Sequence, residues 1–581
     1  MDTTEMSKFY FIWRNKVLQK RIQRYNHSIS FRYNESTVPF TIENTIGRFD
    51  SFDISLQLQS CVVLDLTFPN SITSLFLTEV KNTFEIKLPK ESIHTLYLFN
   101  YRGSIPEGFI PSSVRHLVFN GEIDQHAIPF GVERVEDINV QLKQQFYIPN
   151  SVKEISLLCA KETVTQGWIP DSVEKLTTGF TPDQGFIPKS VKVYTNTSDL
   201  KSLACLPEST RSLTLSNDHI ISSGKETIPH HIKELEIISG KSLNFFPLLP
   251  AGIEKFTYRQ TNQCIENLSI GGYHSLRSLS FSCQSFNCLS LPSNLQELSI
   301  YITGSLAKGP TTKARVNLFS GNPLPRSLAR LSIESYYSED IEITSNMLPE
   351  SLKYLKIRSG VRLLRGCFSN TPNLSELYLE STSPKPKVIN DIPSDMIPPS
   401  ITRLTLGLHR AITQGSIPNS VTYLHIKRGI TEPMDIKHLP QNLSHLVMDI
   451  QYYKSSTAVR FPPKLTHFSC TVNHQGQASL MPNTITHLCL DYIKKPTTPP
   501  INQPIPASVI YLATNYLDSL PPHIRTLVFY RDPKFLDVAL LKHLDSLKLS
   551  TAGSTLCHFP STLKCIKHLP SHCISNKQEW H

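Results

Sequence analysis

The sequence predicts a repeat solenoid, a stack of short parallel strands with little helix. Three observations carry that prediction. The segment Pro-x-Ser-(Val/Ile/Leu)-x-x-Leu-x-(Leu/Ile/Phe) recurs along most of the 581 residues, with clear copies at Pro69, Pro111, Pro149, Pro207, Pro325, Pro349, Pro398, Pro418 and Pro482. Counting weaker copies as far as Pro560, there are about 24 units with a mean period of about 21 residues. The composition fits punctuated strands: 41 Pro against only 23 Gly, with 39% hydrophobic and 18% charged residues, apolar enough to build a core.

Each part of the frame has a physical role. The last two apolar residues stand two apart, so on a strand they point to the same side, while the first enters that interior from the preceding turn. Proline has no N–H to give a ladder and therefore suits the turn that feeds the strand. A helical reading of the frame conflicts with the recurrent proline and the Val, Ile and Thr enrichment. A unit this short cannot bury its own apolar face, so stacking must complete the core. The period and the L-x-x-L-x-L core place the chain among leucine-rich-repeat-like architectures, with one short parallel strand per unit. Loops or single turns are expected in the rest of each unit.

Glycine often precedes the proline turn, as in Gly103-Ser104-Ile105-Pro106, Gln166-Gly167-Trp168-Ile169-Pro170, Gln184-Gly185-Phe186-Ile187-Pro188 and Gln414-Gly415-Ser416-Ile417-Pro418. Asn502-Gln503-Pro504-Ile505 approximates a Phe-Asn-x-Pro-Ile second half, and the opening Phe11-Ile12-Trp13-Arg14-Asn15-Lys16-Val17-Leu18 has the look of a leader to such arrays. In these features the chain resembles the FNIP-repeat proteins of social amoebae and some giant viruses, with degenerate repeats. The resemblance implies a leucine-rich-repeat-like solenoid and little about biochemical activity.

Residues 1–45 are expected to form an N-terminal helical cap, because Met6, Phe9, Trp13 and Val17 share one face of a helix over 6–25. The same helix could serve instead as a docking element for a partner or an acidic membrane surface. The solenoid is expected to run continuously over 46–575, with insertions near 301–324 and 381–397 and a tail over 576–581. The first insertion contains Thr303-Gly304-Ser305 and the second Ser383-Pro384-Lys385-Pro386, both loop-like by composition.

Several function classes are excluded as expectations. The net charge of +10 is spread thinly, short of the concentrated basic stretch of a nucleic-acid binder. No run of roughly 18 apolar residues offers a membrane span, and the start lacks a secretory signal pattern, so a cytoplasmic location is expected. The 12 Cys contain no C-x-x-C pair, and reduced thiols are expected. Phosphate-binding, nucleophile-elbow, zincin and EF-hand motifs are absent, so no catalysis, cofactor or metal is expected.

The frame also predicts which side chains share a surface. The residue before the central leucine should face the concave, solvent side, one strand spacing of about 4.8 Å from its counterparts. Early in the chain this column mixes charges (Arg134, Glu154, Lys175), the mark of a solvated face. From Pro398 on it reads Arg403, Tyr423, His445, His467, His487 and Tyr511. One column over stand Thr402, Thr422, Ser444, Thr466 and Thr486, a ladder that a regular sheet favours. The histidine run reads as aromatic cover over a sheet or as a contact for a protein partner or an anion. It gives no spacing suited to a closed metal shell. The expected function is a protein-interaction scaffold whose partner and oligomeric state the sequence does not specify. The alternative is the substrate receptor of a ubiquitin ligase, docked through the N-terminal helix.

Overall fold

The computed structural model describes residues between His27 and His568, interrupted between strands; the longest interruptions include 303–323, 381–395, 449–460 and 493–504. The expected helix over 6–25, the bodies of both insertions and the tail lie outside the described residues. The fold is a leucine-rich-repeat-like parallel β-solenoid. Its described helical elements are as short as the turn at His219–Ser222 and the 3-10 turn at Ile436–His438.

The chain divides into two compact units, one made of 1–210 with 510–581 and the other of 211–509. In the first, His27–Asn34 pairs in parallel with Phe52–Gln59, and the ladder continues through Ile72–Thr78, Thr95–Phe99, His116–Phe119, Arg134–Ile138, Glu154–Leu157, Lys175–Thr178 and Val193–Asn196. Tyr511–Thr514, Thr526–Phe529, Ser546–Leu549 and Cys565–His568 form a second run of the same unit. Its last strand lies beside His27–Asn34, bringing the two ends of the repeat array together. The second unit's ladder starts at Ser212–Asn217 and reaches His487–Tyr492.

Two features add to the repeat frame. His27–Asn34 lies inside the stretch assigned to a cap, so the ladder begins well before residue 46. Several units carry a second strand where loops or single turns were expected, pairing in parallel as Cys264–Ser269 with Ser285–Ser290 and as Asp340–Ile343 with Gly360–Leu363. Neighbouring units in constant register bring equivalent backbone segments side by side, and extended segments so placed pair.

The leucine column is as the frame requires. Leu75, Leu117, Leu213, Leu331, Leu355, Leu404, Leu424, Leu446 and Leu488 are all 1% exposed or less. The proline turn closes locally: the Pro111 carbonyl accepts the Val114 N–H at 3.1 Å, and Pro349 and Pro418 do the same for Leu352 and Val421. The two residues that follow then share one carbonyl of the preceding unit, Thr422 N–H and Tyr423 N–H both reaching Thr402 O at 2.9 and 3.1 Å.

The motif's serine ties unit to unit. In several units its hydroxyl donates to the carbonyl of the apolar residue one unit back: Ser113 to Ile93 at 2.8 Å, Ser172 to Val152 at 2.7 Å, Ser351 to Leu328 at 2.7 Å and Ser508 to Ile485 at 2.7 Å, whereas the buried Ser400 and Ser420 hydroxyls make no such bond. Where asparagine replaces it, the longer side chain reaches two residues further back, as Asn442 Nδ2 does to Asn419 O at 3.0 Å. These hydroxyls satisfy carbonyls that a turn would otherwise leave without a partner inside the stack.

Candidate functional site

The outward face of the second unit changes character along its ladder. Between Glu234 and Glu380 its outward positions carry Glu234, Glu236, Glu297, Glu334, Glu376 and Glu380, several bonded to cations. Arg259 meets Glu236 at 2.9 Å and Lys356 meets Glu334 at 2.7 Å. Arg358 and Lys427 both approach Glu380, at 3.6 and 3.1 Å, and the Tyr378 hydroxyl bonds to the same carboxylate. Burial alone would raise the Glu380 pKa, but the Tyr378 hydroxyl, Lys427 and Arg358 together hold it below the usual carboxylate range.

Lys427 reaches Glu380 across an intervening strand, and Gly407 makes that possible. In register the three residues form one column, Glu380 beside Gly407 and Leu406 beside Ile426, which Lys427 follows. A Cβ on Gly407 would stand 2.9 Å from Glu380 Cγ and 3.3 Å from Lys427 Cβ, closing the gap the ion pair spans.

Among the described residues, carboxylates become scarce from Arg403 onward. Asp491 is the only acid among the described residues from 403 to 509. Strand register sets Arg403, Tyr423, His445, His467 and His487 side by side on consecutive strands. The Arg403 guanidinium lies over the Tyr423 ring, 4.2 Å from its centroid, and the Tyr423 and His445 rings are 6.1 Å apart. His445 stacks on His467 and His467 on His487, each pair with centroids 4.1 Å apart and planes within 14°. Tyr511 holds the equivalent strand position in the first unit, in register with Thr526.

The neighbouring hydroxyl column fixes these rings. Ser444, Thr466 and Thr486 hydroxyls each lie 2.9 Å from Nδ1 of the histidine that follows. Each also donates to a carbonyl one unit back, Ser444 to Thr422 at 3.0 Å, Thr466 to Ser444 at 3.2 Å and Thr486 to Thr466 at 3.3 Å. Thr402 and Thr422 continue the ladder, and Ser375, which the repeat frame did not single out, starts it by donating to Lys353 O at 3.2 Å. A hydroxyl has one hydrogen. If it goes to the carbonyl, Nδ1–H donates to the hydroxyl oxygen, and a further proton enters the ring at Nε2 without disturbing the chain.

The pKa of His445 is lowered first by burial, then by the Arg403 charge and by His487; that of His487 is lowered by burial. Partial desolvation therefore outranks the mutual repulsion of imidazolium ions as the cause.

Other arrangements are invisible in the repeat frame. Arg330 lies 4.3 Å from the Tyr354 centroid, a pairing that matches Arg403 on Tyr423. In the first unit Phe76 stacks on Tyr97 at 4.2 Å, and Tyr97 meets His116 edge-on at 5.5 Å. The interior of that unit also holds a polar knot: the Tyr194 and Thr178 hydroxyls are 2.7 Å apart, and Asn196 Nδ2 donates to Thr178 Oγ1 and Phe180 O. Thr178 and Asn196 occupy interior positions that the frame reserves for apolar residues. An open cleft of about 660 Å³ lies nearby, lined in part by Asp183, Ser198, Lys201 and Cys205. Buried Cys367 has its thiol pKa pushed up to about 12 by burial, which makes it a poor nucleophile.

Among the described residues no three His, Cys, Asp or Glu are placed to hold a metal ion, and no helix is long and apolar enough to cross a membrane. No family model and no curated protein matches the chain, so the FNIP resemblance rests on its motifs alone. Solved structures do match. One is CroV588, described as a novel circular LRR protein, 19% identical over 92% of this chain and 84% of that one, with a TM-score of 0.44. Another is YopM from Yersinia enterocolitica, 14% identical over 98% of each chain, with a TM-score of 0.24.

Proposed function

We propose that the protein is an interaction scaffold, binding a macromolecular partner on the outward face of its repeat ladder and performing no catalysis. Arg403, Tyr423, His445, His467 and His487 form the contact surface on the second unit, and Tyr511 offers the equivalent position on the first. The observation that carries this reading is the row itself. Three imidazoles held in parallel at 4.1 Å, pinned by a hydroxyl ladder and headed by a guanidinium on a tyrosine, form a rigid polar surface. Such a surface loses little side-chain entropy on binding.

Site-specific cross-linking tests it. A photoreactive phenylalanine analogue replaces Tyr423 in the full chain, or Thr214 on the outward face of the same unit as a control, and is activated in the native cell. A discrete protein adduct is expected from position 423 and none of the same mass from position 214. No adduct at 423, or the same adducts at both positions, contradicts the assignment.

A further inference from the structure

We infer that the face from Arg403 to His487 takes an acidic polypeptide segment and holds it more tightly as the pH falls; this rests on the interaction reading above and names the partner's chemistry. The first support is charge. Arg403 is exposed, and among the described residues no carboxylate lies within 4 Å of it. Lys427, by contrast, is held by Glu380. Ahead of Arg403 the ladder supplies its own carboxylates; beyond it, among the described residues, the row's outward positions carry imidazoles in their place, which leaves room for negative charge from a ligand.

The second support is the geometry of proton uptake. Among the described residues, the titratable and charged groups around the row are Arg403 at its head, Glu376 in register with Arg403, Glu380 and Lys427 at the far ends of the adjoining strands, His425 and Cys489 one column over, and Asp491 on the last strand. The carboxylates of Glu376 and Glu380 stand ahead of the row, while Asp491 lies four residues past His487 on its own strand, in register with Thr471. None is in register with an imidazole of the row. The hydroxyl chain accepts a neutral or a charged ring alike, since the added proton sits on Nε2. A carboxylate-bearing ligand laid along the row would raise the ring pKa values, so binding takes up protons and strengthens on acidification by linkage. Each proton taken up is worth at most about tenfold in affinity per pH unit.

The length and the charge content favour a peptide. Four strand spacings separate Arg403 from His487, roughly 19 Å, which about six extended residues would cover. At neutral pH the row offers a single permanent cation. Nucleic-acid binding draws on several Lys and Arg that neutralise phosphates, and the row lacks them.

The probe is a fluorescein-labelled Asp/Gly peptide of about twelve residues, whose carboxylates stay ionised between pH 5.5 and 7.5. Affinity for the full-length protein is measured by fluorescence anisotropy at constant salt at both pH values. Binding is expected to be about tenfold tighter at pH 5.5, the gain to vanish in His445→Gln/His467→Gln/His487→Gln, and Arg403→Ala to weaken binding at both pH values. If the triple variant does not fold, His467→Gln alone interrupts the row at its centre and should remove most of the gain. Equal affinity at the two pH values, or a gain that survives these substitutions, overturns the inference. So does an equal gain for an oligodeoxythymidylate of the same charge, which would assign the face to a different class of partner. If cross-linking at position 423 succeeds while the peptide shows no pH gain, the acidic-partner inference falls and the scaffold reading stands. No adduct at 423 at either pH brings down both.

Discussion

Leu404→Ala is expected to lower the unfolding free energy by about 2–5 kcal/mol, through lost transfer energy and the cavity left behind. Leu404 is fully buried, with Leu377 and Leu424 beside it in register on the two flanking strands. Its neighbour Arg403 points to the opposite face and is exposed, so Arg403→Ala should change stability by less than about 1 kcal/mol. Chemical denaturation of the two variants decides the matter. If Arg403→Ala unfolds the protein and Leu404→Ala does not, the register is wrong by one residue and every facing assignment inverts.

Deleting residues 1–45 is expected to give a chain that aggregates. The reason differs from the one the sequence supplies, which is loss of a helical cap. The deletion removes His27–Asn34, a strand paired along its whole length with Phe52–Gln59 and lying beside Cys565–His568. It leaves the paired edge of Phe52–Gln59 open and uncovers the neighbouring Cys565–His568, and exposed parallel edges recruit other chains. Size-exclusion chromatography of 46–581 checks this. A soluble, monomeric fragment with the full-length melting temperature would contradict it.

The architecture is legible in the sequence because it repeats. The leucine at the centre of the frame is forced inward in unit after unit, and the period-2 alternation then sets its neighbours outward, so the repeat frame alone aligns Arg403 through His487. Local and non-repeating features are not legible in that way. Thr178 and Asn196 break the apolar pattern, and only the fold shows that Tyr194 sits beside them to bond both. Gly407 looks like an ordinary strand glycine until Glu380 and Lys427 are seen to meet across it. The serine of the motif is visible in most clear copies, yet its task lies in the preceding unit. A single frame lists residue types but not the carbonyl 17 to 32 residues back that such a hydroxyl reaches. The second strands escape the frame for a similar reason: segments without a strong pattern become strands once a neighbour in register supplies the partner.

The depressed histidine pKa values carry a definite sign. A histidine whose folded pKa lies below its unfolded value of about 6.5 contributes stability that is present above pH 6.5 and lost as the pH falls through the folded value. Glu380 behaves alike in direction but in a lower window. Its depressed carboxylate contributes stability above the unfolded value of about 4.3 that is lost only at more acidic pH. His116 in the first unit, lowered mainly by burial and then by Arg134 against the pull of Glu136, shares the histidine window and leaves a residual acid response of its own.

The most direct test of the claim that His445, His467 and His487 act as one electrostatic unit is therefore a pair of melting curves, at pH 7.5 and pH 5.5, for wild type and for His445→Gln/His467→Gln/His487→Gln. The wild type should lose more stability on acidification than the triple variant, which keeps only the response of His116 and the other remaining groups. If the two proteins lose the same amount, the three stacked rings do not titrate as a unit, and the row loses its support as the binding face.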